Sequence, residues 1–134
     1  MVVGAINDII NRQYPHFLYK RISDGEAVQD ANGSWTTAGA SWKFCGTCRE
    51  ETNGKGTTIQ AANGRFVVFS SAIYAPVDVE RIADGVEVLA SERKLEPDEL
   101  TNEGIETAKA SGAIRICGEC LKFDKGRLHG RLWV

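Results

Sequence analysis

Apolar and polar residues alternate in short runs along most of the chain, and glycine-containing turns separate the runs. In residues 127–134, the even positions carry the apolar residues Leu128, Leu132 and Val134. The odd positions carry Arg127, His129, Arg131 and Trp133. Alternation with a period of two is typical of a strand with one buried face. The pattern predicts a mainly β protein, a small barrel or sandwich of short antiparallel strands.

Two asparagine-glycine pairs predict tight hairpins. Asn32-Gly33 lies between two short apolar runs, and so does Asn63-Gly64. This dipeptide is a strong local signal for a tight hairpin. The second arm of the later hairpin, residues 66–74, begins with apolar residues on both parities, which predicts a strand through the middle of the core.

Helical spacing is confined to two segments. Residues 5–14 carry apolar side chains at helical intervals and are followed by Pro15, which predicts a short N-terminal helix. Residues 91–112 are polar and contain few core-sized side chains. We expect an exposed excursion there, with helical turns near 97–100 and 104–110.

The apolar parity changes in the segment that precedes the last strand. Ile114 and Ile116 occupy even positions, whereas Leu121 and Phe123 occupy odd ones. A strand cannot change parity without a bulge or a turn. We therefore expect a break inside 117–120, and none is required at 45–48.

The four cysteines form two C-x-x-C pairs, Cys45 with Cys48 and Cys117 with Cys120. Four thiolates suit a tetrahedral zinc ion, and a C-G-x-C turn can aim both sulfurs at one point. We therefore predict one structural zinc ion, although 68 residues lie between the pairs and a compact zinc ribbon has ~15–20. A barrel that placed 42–51 beside 113–123 would close this gap.

Two other interpretations of the cysteines stay open. They can be small, partly buried thiols with an ordinary β-bulge at 117–120. A thiol oxidoreductase is disfavoured, because its first cysteine belongs at a helix N-terminus. The residues after Cys48 are too rich in glycine for a helix.

Composition narrows the functional class. With 134 residues, 43% of them hydrophobic, the chain is long enough for one domain with its own core. A net charge of −2 disfavours a general nucleic-acid binder. No apolar run approaches the ~20 residues of a membrane span, and the N-terminus does not resemble a signal peptide. We expect a cytoplasmic protein with no membrane partner and no specific nucleic acid.

No arrangement of catalytic side chains is evident. His16 and His129 are the only histidines. Neither has an acid or a nucleophile nearby at a spacing that is typical of a metal site or a catalytic triad. Arg127, His129 and Arg131 are expected on a solvated strand face that could also contact an acidic partner or phosphates. Phosphate-binding loops and nucleophile motifs are absent from the sequence. We expect a protein without enzymatic activity.

The second half of the chain resembles a known family. Asn63-Gly64-Arg65 leads into a strand-like run that ends at Pro76, followed by Ile82-Ala83-Asp84-Gly85-Val86. A polar gap and a closing hairpin come next. This order, over 57–134, is similar to that of tailed-phage head–tail joining proteins, the head-closure or head-completion family. The sequence departs from that pattern at Gly85-Val86, where Gly-Asp is common, and in its two cysteine pairs.

The resemblance implies a non-enzymatic structural protein. Members of that family form rings between the portal and the tail, so the expected partners are other copies of the chain and portal or tail proteins. The location would then be the host cytoplasm and later the virion. The alternative is a zinc-binding β-module that recognises a protein or a nucleic acid.

Overall fold

The strands of the protein are short and antiparallel. A computed structural model describes residues 13–22, 27–29, 35–37, 42–61 and 63–134. The strands are β1 (His16–Arg21), β2 (Ala27–Gln29), β3 (Trp35–Thr37), β4 (Trp42–Thr52), β5 (Thr58–Gln60), β6 (Phe66–Val68), β7 (Ser71–Pro76), β8 (Glu87–Ser91), β9 (Ile114–Glu119), β10 (Lys122–Lys125) and β11 (His129–Trp133). A 3₁₀ turn (Pro97–Glu99) and helix α1 (Asn102–Ala110) lie between β8 and β9. The predicted helix at 5–14 lies outside the described residues except for its last two.

Seven strands form one sheet in the order β10-β11-β7-β4-β1-β8-β9. Strand β4 is shared: residues 42–48 pair with β1, and residues 49–52 pair with β7. We call β9, β8, β1 and residues 42–48 the helix-side half, and residues 49–52 with β7, β11 and β10 the open half. The prediction of a mainly antiparallel β fold is confirmed.

The sheet folds over on itself but does not close. The two edge strands, β9 and β10, are separated in the chain only by Cys120 and Leu121. The two edges of the sheet therefore lie close together where β9 ends and β10 begins. The described strands form no hydrogen-bonded ladder between these edges. The architecture is therefore sandwich-like, and the expected neighbours 42–51 and 113–123 do not pair. Strands β1 and β8 separate β4 from β9, and β7 and β11 separate β4 from β10.

Two apolar cores lie on opposite faces of the helix-side half. The inner core lies between the halves and includes Leu18, Ile73 and Leu132. The helix-side core includes Tyr19 and Leu89. Alternation along β1 explains the division, because consecutive side chains point to opposite faces.

The segment 91–112 forms the two predicted helical elements, but it is not fully exposed. Thr101 caps α1 by accepting a hydrogen bond from the backbone N–H of Gly104 at 3.0 Å. Ile105 and Ala108 are 2% exposed and pack into the helix-side core. Burial of one such isoleucine contributes about 1.5–3 kcal/mol, which holds α1 on the sheet. None of the described helices is long and apolar enough to cross a bilayer.

Both asparagine-glycine hairpins are confirmed at the level of strand pairing. Strand β2 pairs with β3, although the turn at Asn32-Gly33 lies outside the described residues. Strand β5 pairs with β6. The expected long strand 66–74 is wrong: it divides into β6 and β7, and only β7 joins the seven-stranded sheet. An apolar run does not by itself reveal which part is buried, and Phe66 is 72% exposed.

Candidate functional site

The first cysteine pair lies on a β-bulge. Leu18 pairs with Gly46 and Tyr19 pairs with Phe44, so Cys45 is an extra residue on β4. Gly46 has a φ of +126°, which only glycine adopts readily. The bulge places Cys45 and Cys48 against the same inner core. The expectation that 45–48 needs no break is wrong.

The second cysteine pair is extended. From Ile116 to Glu119, strand β9 pairs with β8 without a shift in register. Cys117 therefore packs against the helix-side core, and Cys120 packs into the inner core. The predicted break inside 117–120 is wrong in its position. One bulge lies earlier, at Arg115. The chain then changes partner just after Cys120, because the backbone N–H of Cys120 bonds to Val86, whereas that of Leu121 bonds to Trp133 on β11.

The four sulfurs are thus divided between the two faces of the sheet. Cys45, Cys48 and Cys120 contact the inner core, whereas Cys117 lies on the other side. In the described part of the chain, no three His, Cys, Asp or Glu side chains form a group that could hold a metal ion. The zinc site stays a prediction that the geometry does not support. Elemental analysis of the untagged protein tests it directly, since one ion per chain is expected if all four cysteines bind metal.

All four thiols are poor nucleophiles in the folded protein. Burial is the main cause in each case, and it raises the pKa of Cys48 to about 12 and that of Cys45, Cys117 and Cys120 to about 11. Cys45 borders an open cavity of about 330 Å³, but its thiol also donates to Glu80 at 3.7 Å, which disfavours the thiolate. Thiolate chemistry at neutral pH therefore has no support in this geometry.

Slow alkylation is the expected result of these pKa values. At pH 8, a thiol of pKa about 11 is ionised about a hundred times less often than one at the ordinary value of 9.0. We expect native Cys45 and Cys117 to react with iodoacetamide at least about a hundred times more slowly than in urea, and buried Cys48 and Cys120 more slowly still. Mass spectrometry of timed samples measures the four rates. Equal rates in native and unfolded protein would contradict the expectation.

A buried ion network joins the two halves of the sheet, and the sequence analysis missed it. Glu50 on β4 is 5% exposed. Its carboxylate accepts hydrogen bonds from Arg115 Nε at 2.9 Å and from Thr52 Oγ1 at 3.0 Å. Arg115 also pairs with Glu92. Because Arg115 is the extra residue of the bulge in β9, its side chain is turned from the regular alternation toward Glu50.

His16 belongs to the same network as a neutral base. Its Nδ1 accepts a hydrogen bond from the backbone N–H of Glu50 at 3.1 Å. Burial, followed by the positive charge of Arg115, lowers the pKa of His16 below 6.5. Burial opposes ionisation of Glu50, but hydrogen bonds from Ser71, Thr52 and Arg115 lower its pKa below 4.5. At neutral pH the network therefore carries the ionised carboxylate of Glu50, the guanidinium of Arg115 and the neutral imidazole of His16.

A structural role accounts for this network. Every polar group named above has a partner, and buried charges need such partners to be tolerated. The sequence contained one signal. Glu50 lies two residues after Cys48 and therefore faces the same side of the strand. That side is buried, which is an unusual place for a carboxylate. Its partner Arg115 lies 65 residues away, and local patterning cannot identify it.

The predicted solvated strand face is present on β11. His129, Arg131 and Trp133 point away from the inner core, while Leu132 and Val134 are buried. Leu128 departs from the predicted parity, since it lies in the turn before β11 and is 83% exposed. The ring of Tyr74 on β7 meets that of His129 edge to face at 5.5 Å.

Another surface feature is the hairpin β5–β6, which is not hydrogen-bonded to the seven-stranded sheet. Phe66 and Val68 are 72% and 63% exposed. Together they form a small exposed apolar patch, and such patches often mark protein–protein contact sites. Comparisons of the chain with protein-family models, with curated proteins and with solved structures found no match, so these features are interpreted from their geometry alone.

Proposed function

We propose that this protein is a non-enzymatic structural component of a protein assembly, namely a head–tail joining protein of a tailed phage or prophage. The observation that carries the assembly role is the exposed hairpin β5–β6. The resemblance of residues 57–134 to head-closure proteins supports the specific assignment. Portal or tail proteins and further copies of the chain are then the partners.

The hairpin offers an apolar face that the described part of the chain does not cover. Cross-strand pairing places Thr58 opposite Val68 and Gln60 opposite Phe66, so these four side chains share one face. Two of the four are large and apolar, and more than half of each is exposed. An isolated two-stranded hairpin is only marginally stable in water. Contact with a partner would bury this face and stabilise the hairpin.

The base of the hairpin is held firmly, which suits a docking arm. The side-chain amide of Asn53 donates to the carbonyl oxygens of Phe69 at 2.8 Å and Thr57 at 2.9 Å. Its backbone N–H donates to Ser70 at 2.8 Å. These bonds link both strands of the hairpin to the end of β4. A pre-organised arm loses less conformational entropy on binding than a flexible one.

The chemistry of the described residues agrees with a role without catalysis. The thiols are protonated, and the network around Glu50 is satisfied internally. A protein that works by docking needs a stable scaffold and an exposed contact surface, and the fold supplies both.

Removing the two exposed apolar side chains is the direct experiment. We expect Phe66→Ser with Val68→Ser to weaken binding strongly to the portal or tail proteins encoded beside this chain's gene. Truncation of central anchors costs 2 kcal/mol or more, which corresponds to about thirtyfold weaker binding or worse. Co-expression and pull-down, followed by calorimetry on any complex, measures the loss.

A matched control uses an exposed apolar residue outside the hairpin. Val77→Ser removes a side chain of the same kind, 43% exposed in the wild type, after β7. It should leave partner binding unchanged. Neighbouring genes that encode no virion proteins, or full binding by the hairpin variant, would overturn the proposal.

A further inference from the structure

The dipeptide Asn-Gly occurs three times in the chain, at Asn32-Gly33, Asn53-Gly54 and Asn63-Gly64. In this dipeptide the backbone nitrogen of glycine can attack the side-chain carbonyl carbon of asparagine, because glycine has no Cβ to obstruct the approach. The first copy lies outside the described residues. The other two lie at the base and at the tip of the hairpin β5–β6, so the same chemistry meets two different environments.

Asn63 lies exposed at the tip of the hairpin. Two backbone hydrogen bonds close the loop there, from Ala61 N–H to Arg65 O at 2.8 Å and from Gly64 N–H to Ala61 O at 2.9 Å. The Asn63 side chain adds one bond, in which Oδ1 accepts from the backbone N–H of Arg65 at 3.0 Å. Its Nδ2 has no hydrogen-bond partner among the described residues. The nitrogen that would leave as ammonia is therefore unrestrained.

Asn53 is held by its whole amide group at the base of the same hairpin. Its Nδ2 donates to the carbonyl oxygens of Phe69 and Thr57, so both amide hydrogens are engaged. Its Oδ1 accepts a further bond from the backbone N–H of Thr57 at 3.2 Å. Rotation of this amide toward Gly54 would break these three bonds and loosen the hairpin from the end of β4.

The two sites are otherwise closely matched. A Cβ at Gly54 or at Gly64 would meet nothing within 4 Å, so neither glycine is crowded. Each glycine N–H donates one backbone hydrogen bond, and that of Gly54 reaches the carbonyl oxygen of Thr52 at 3.1 Å. A basic residue follows each glycine, Lys55 in one case and Arg65 in the other. The main difference between the sites is therefore the hydrogen bonding of the asparagine side chain.

We propose that Asn63 is a modification site that deamidates spontaneously in the folded protein, whereas Asn53 is protected. The backbone nitrogen of Gly64 loses its proton and attacks Cγ of Asn63. The Cγ–Nδ2 bond breaks, and the nitrogen takes up a proton and leaves as ammonia. Water then opens the cyclic succinimide at either carbonyl and gives aspartate or isoaspartate. The net change is uptake of water and release of ammonia, without oxidation or reduction.

Isoaspartate at position 63 would alter the hairpin. The main chain would run through the former side chain, which adds a methylene to the loop and leaves a new carboxylate beside it. Loop length fixes the register of a hairpin, and the present register places Phe66 and Val68 on one face. The modification should therefore loosen β5–β6. Its effect on partner docking rests on the function proposed above, whereas the reaction itself does not.

Peptide mapping of an aged sample tests the reaction. The full chain is incubated folded in weakly alkaline buffer, and mass spectrometry with isoaspartyl methyltransferase labelling follows each Asn-Gly separately. We expect Asn63 to convert at least about tenfold faster than Asn53, because Asn53 must break two additional side-chain hydrogen bonds. In denaturant the two should convert at similar rates, since the neighbouring residues are alike.

Asn63→Gln is the control for the structural effect. It keeps the amide but lengthens the side chain by one methylene, so attack by Gly64 would have to close a larger and slower-forming ring. Ageing should speed hydrogen exchange of the β5–β6 amides in wild type and leave it unchanged in Asn63→Gln. Circular dichroism of fresh protein confirms that the variant folds.

Equal rates at Asn53 and Asn63 in the folded protein, or faster conversion at Asn53, would overturn the proposal. Selective conversion of Asn63 with no change in hydrogen exchange would support the modification site and contradict the loosening of the hairpin. The proposed function fails separately: if the Phe66 and Val68 variant kept full partner binding while Asn63 still converted selectively, the docking role would be lost and this site would stand.

Discussion

Replacing Gly104 with alanine is expected to destabilise the protein by roughly 2–3 kcal/mol, although alanine is the better helix former by about 1 kcal/mol. A Cβ at this position would lie 2.5 Å from the carbonyl oxygen of Glu99 and 2.8 Å from its Cα. These are backbone atoms, so no side-chain rotation can relieve the overlap. Either α1 or the 3₁₀ turn must move, and Ile105 then loses part of its contact with the helix-side core. Urea unfolding followed by circular dichroism measures the loss.

A second glycine supplies the matched control. Gly54 lies in the turn after β4, and a Cβ there would meet nothing within 4 Å. Gly54→Ala should be neutral or stabilise the protein by up to about 1 kcal/mol, because it restricts the unfolded chain. A stable Gly104→Ala variant would show that α1 and the preceding turn are not packed as closely as described.

Replacing Arg115 with alanine is expected to cost roughly 2–3 kcal/mol, because it leaves the buried carboxylate of Glu50 without its ionic partner. Loss of one partner from a fully buried pair costs about 3–5 kcal/mol. We expect a smaller loss of stability than this for Arg115→Ala, because the Arg115 side chain is 32% exposed and solvent screens part of the interaction. Thermal and urea unfolding at neutral pH give the difference in stability.

Two comparisons separate this effect from the loss of any surface arginine. Arg131→Ala breaks an exposed pair with Asp124, 3.2 Å long, and should cost no more than about 1 kcal/mol. The effect of Arg115→Ala should also shrink in acid. Because the folded pKa of Glu50 lies below 4.5, the wild-type ion pair contributes fully above pH 4.5 and is lost as the pH falls through the folded value. A cost that did not change with pH would argue against the ion pair.

Local sequence patterns predicted the elements that depend on local interactions. The hairpin at Asn63-Gly64 formed as expected, because glycine there adopts a φ of +83° that a tight turn requires. The two helical elements between β8 and β9 formed close to their predicted positions, since Pro97 and the cap at Thr101 act within a few residues. These signals need no knowledge of distant parts of the chain.

Features that depend on register could not be predicted in the same way. Both bulges, at Cys45 and at Arg115, are defined by which residue pairs across to a neighbouring strand. A shift of one residue exchanges the faces of a strand. Cys48 therefore meets the inner core with Cys45, whereas Cys117 and Cys120 point to opposite sides. The spacing of the cysteines alone does not contain this information.

The sequence by itself determined that this chain forms short antiparallel strands joined by glycine turns, because alternation and turn chemistry act over a few residues. Only the tertiary structure decided which apolar side chains are covered and which charges meet. Phe66 and Ile73 lie in one apolar run, yet one is 72% exposed and the other is fully buried. Likewise, Glu50 and Arg115 become partners only because the sheet folds over and a bulge turns the arginine inward. Burial and ion pairing depend on contacts between distant segments, and those contacts exist only after folding.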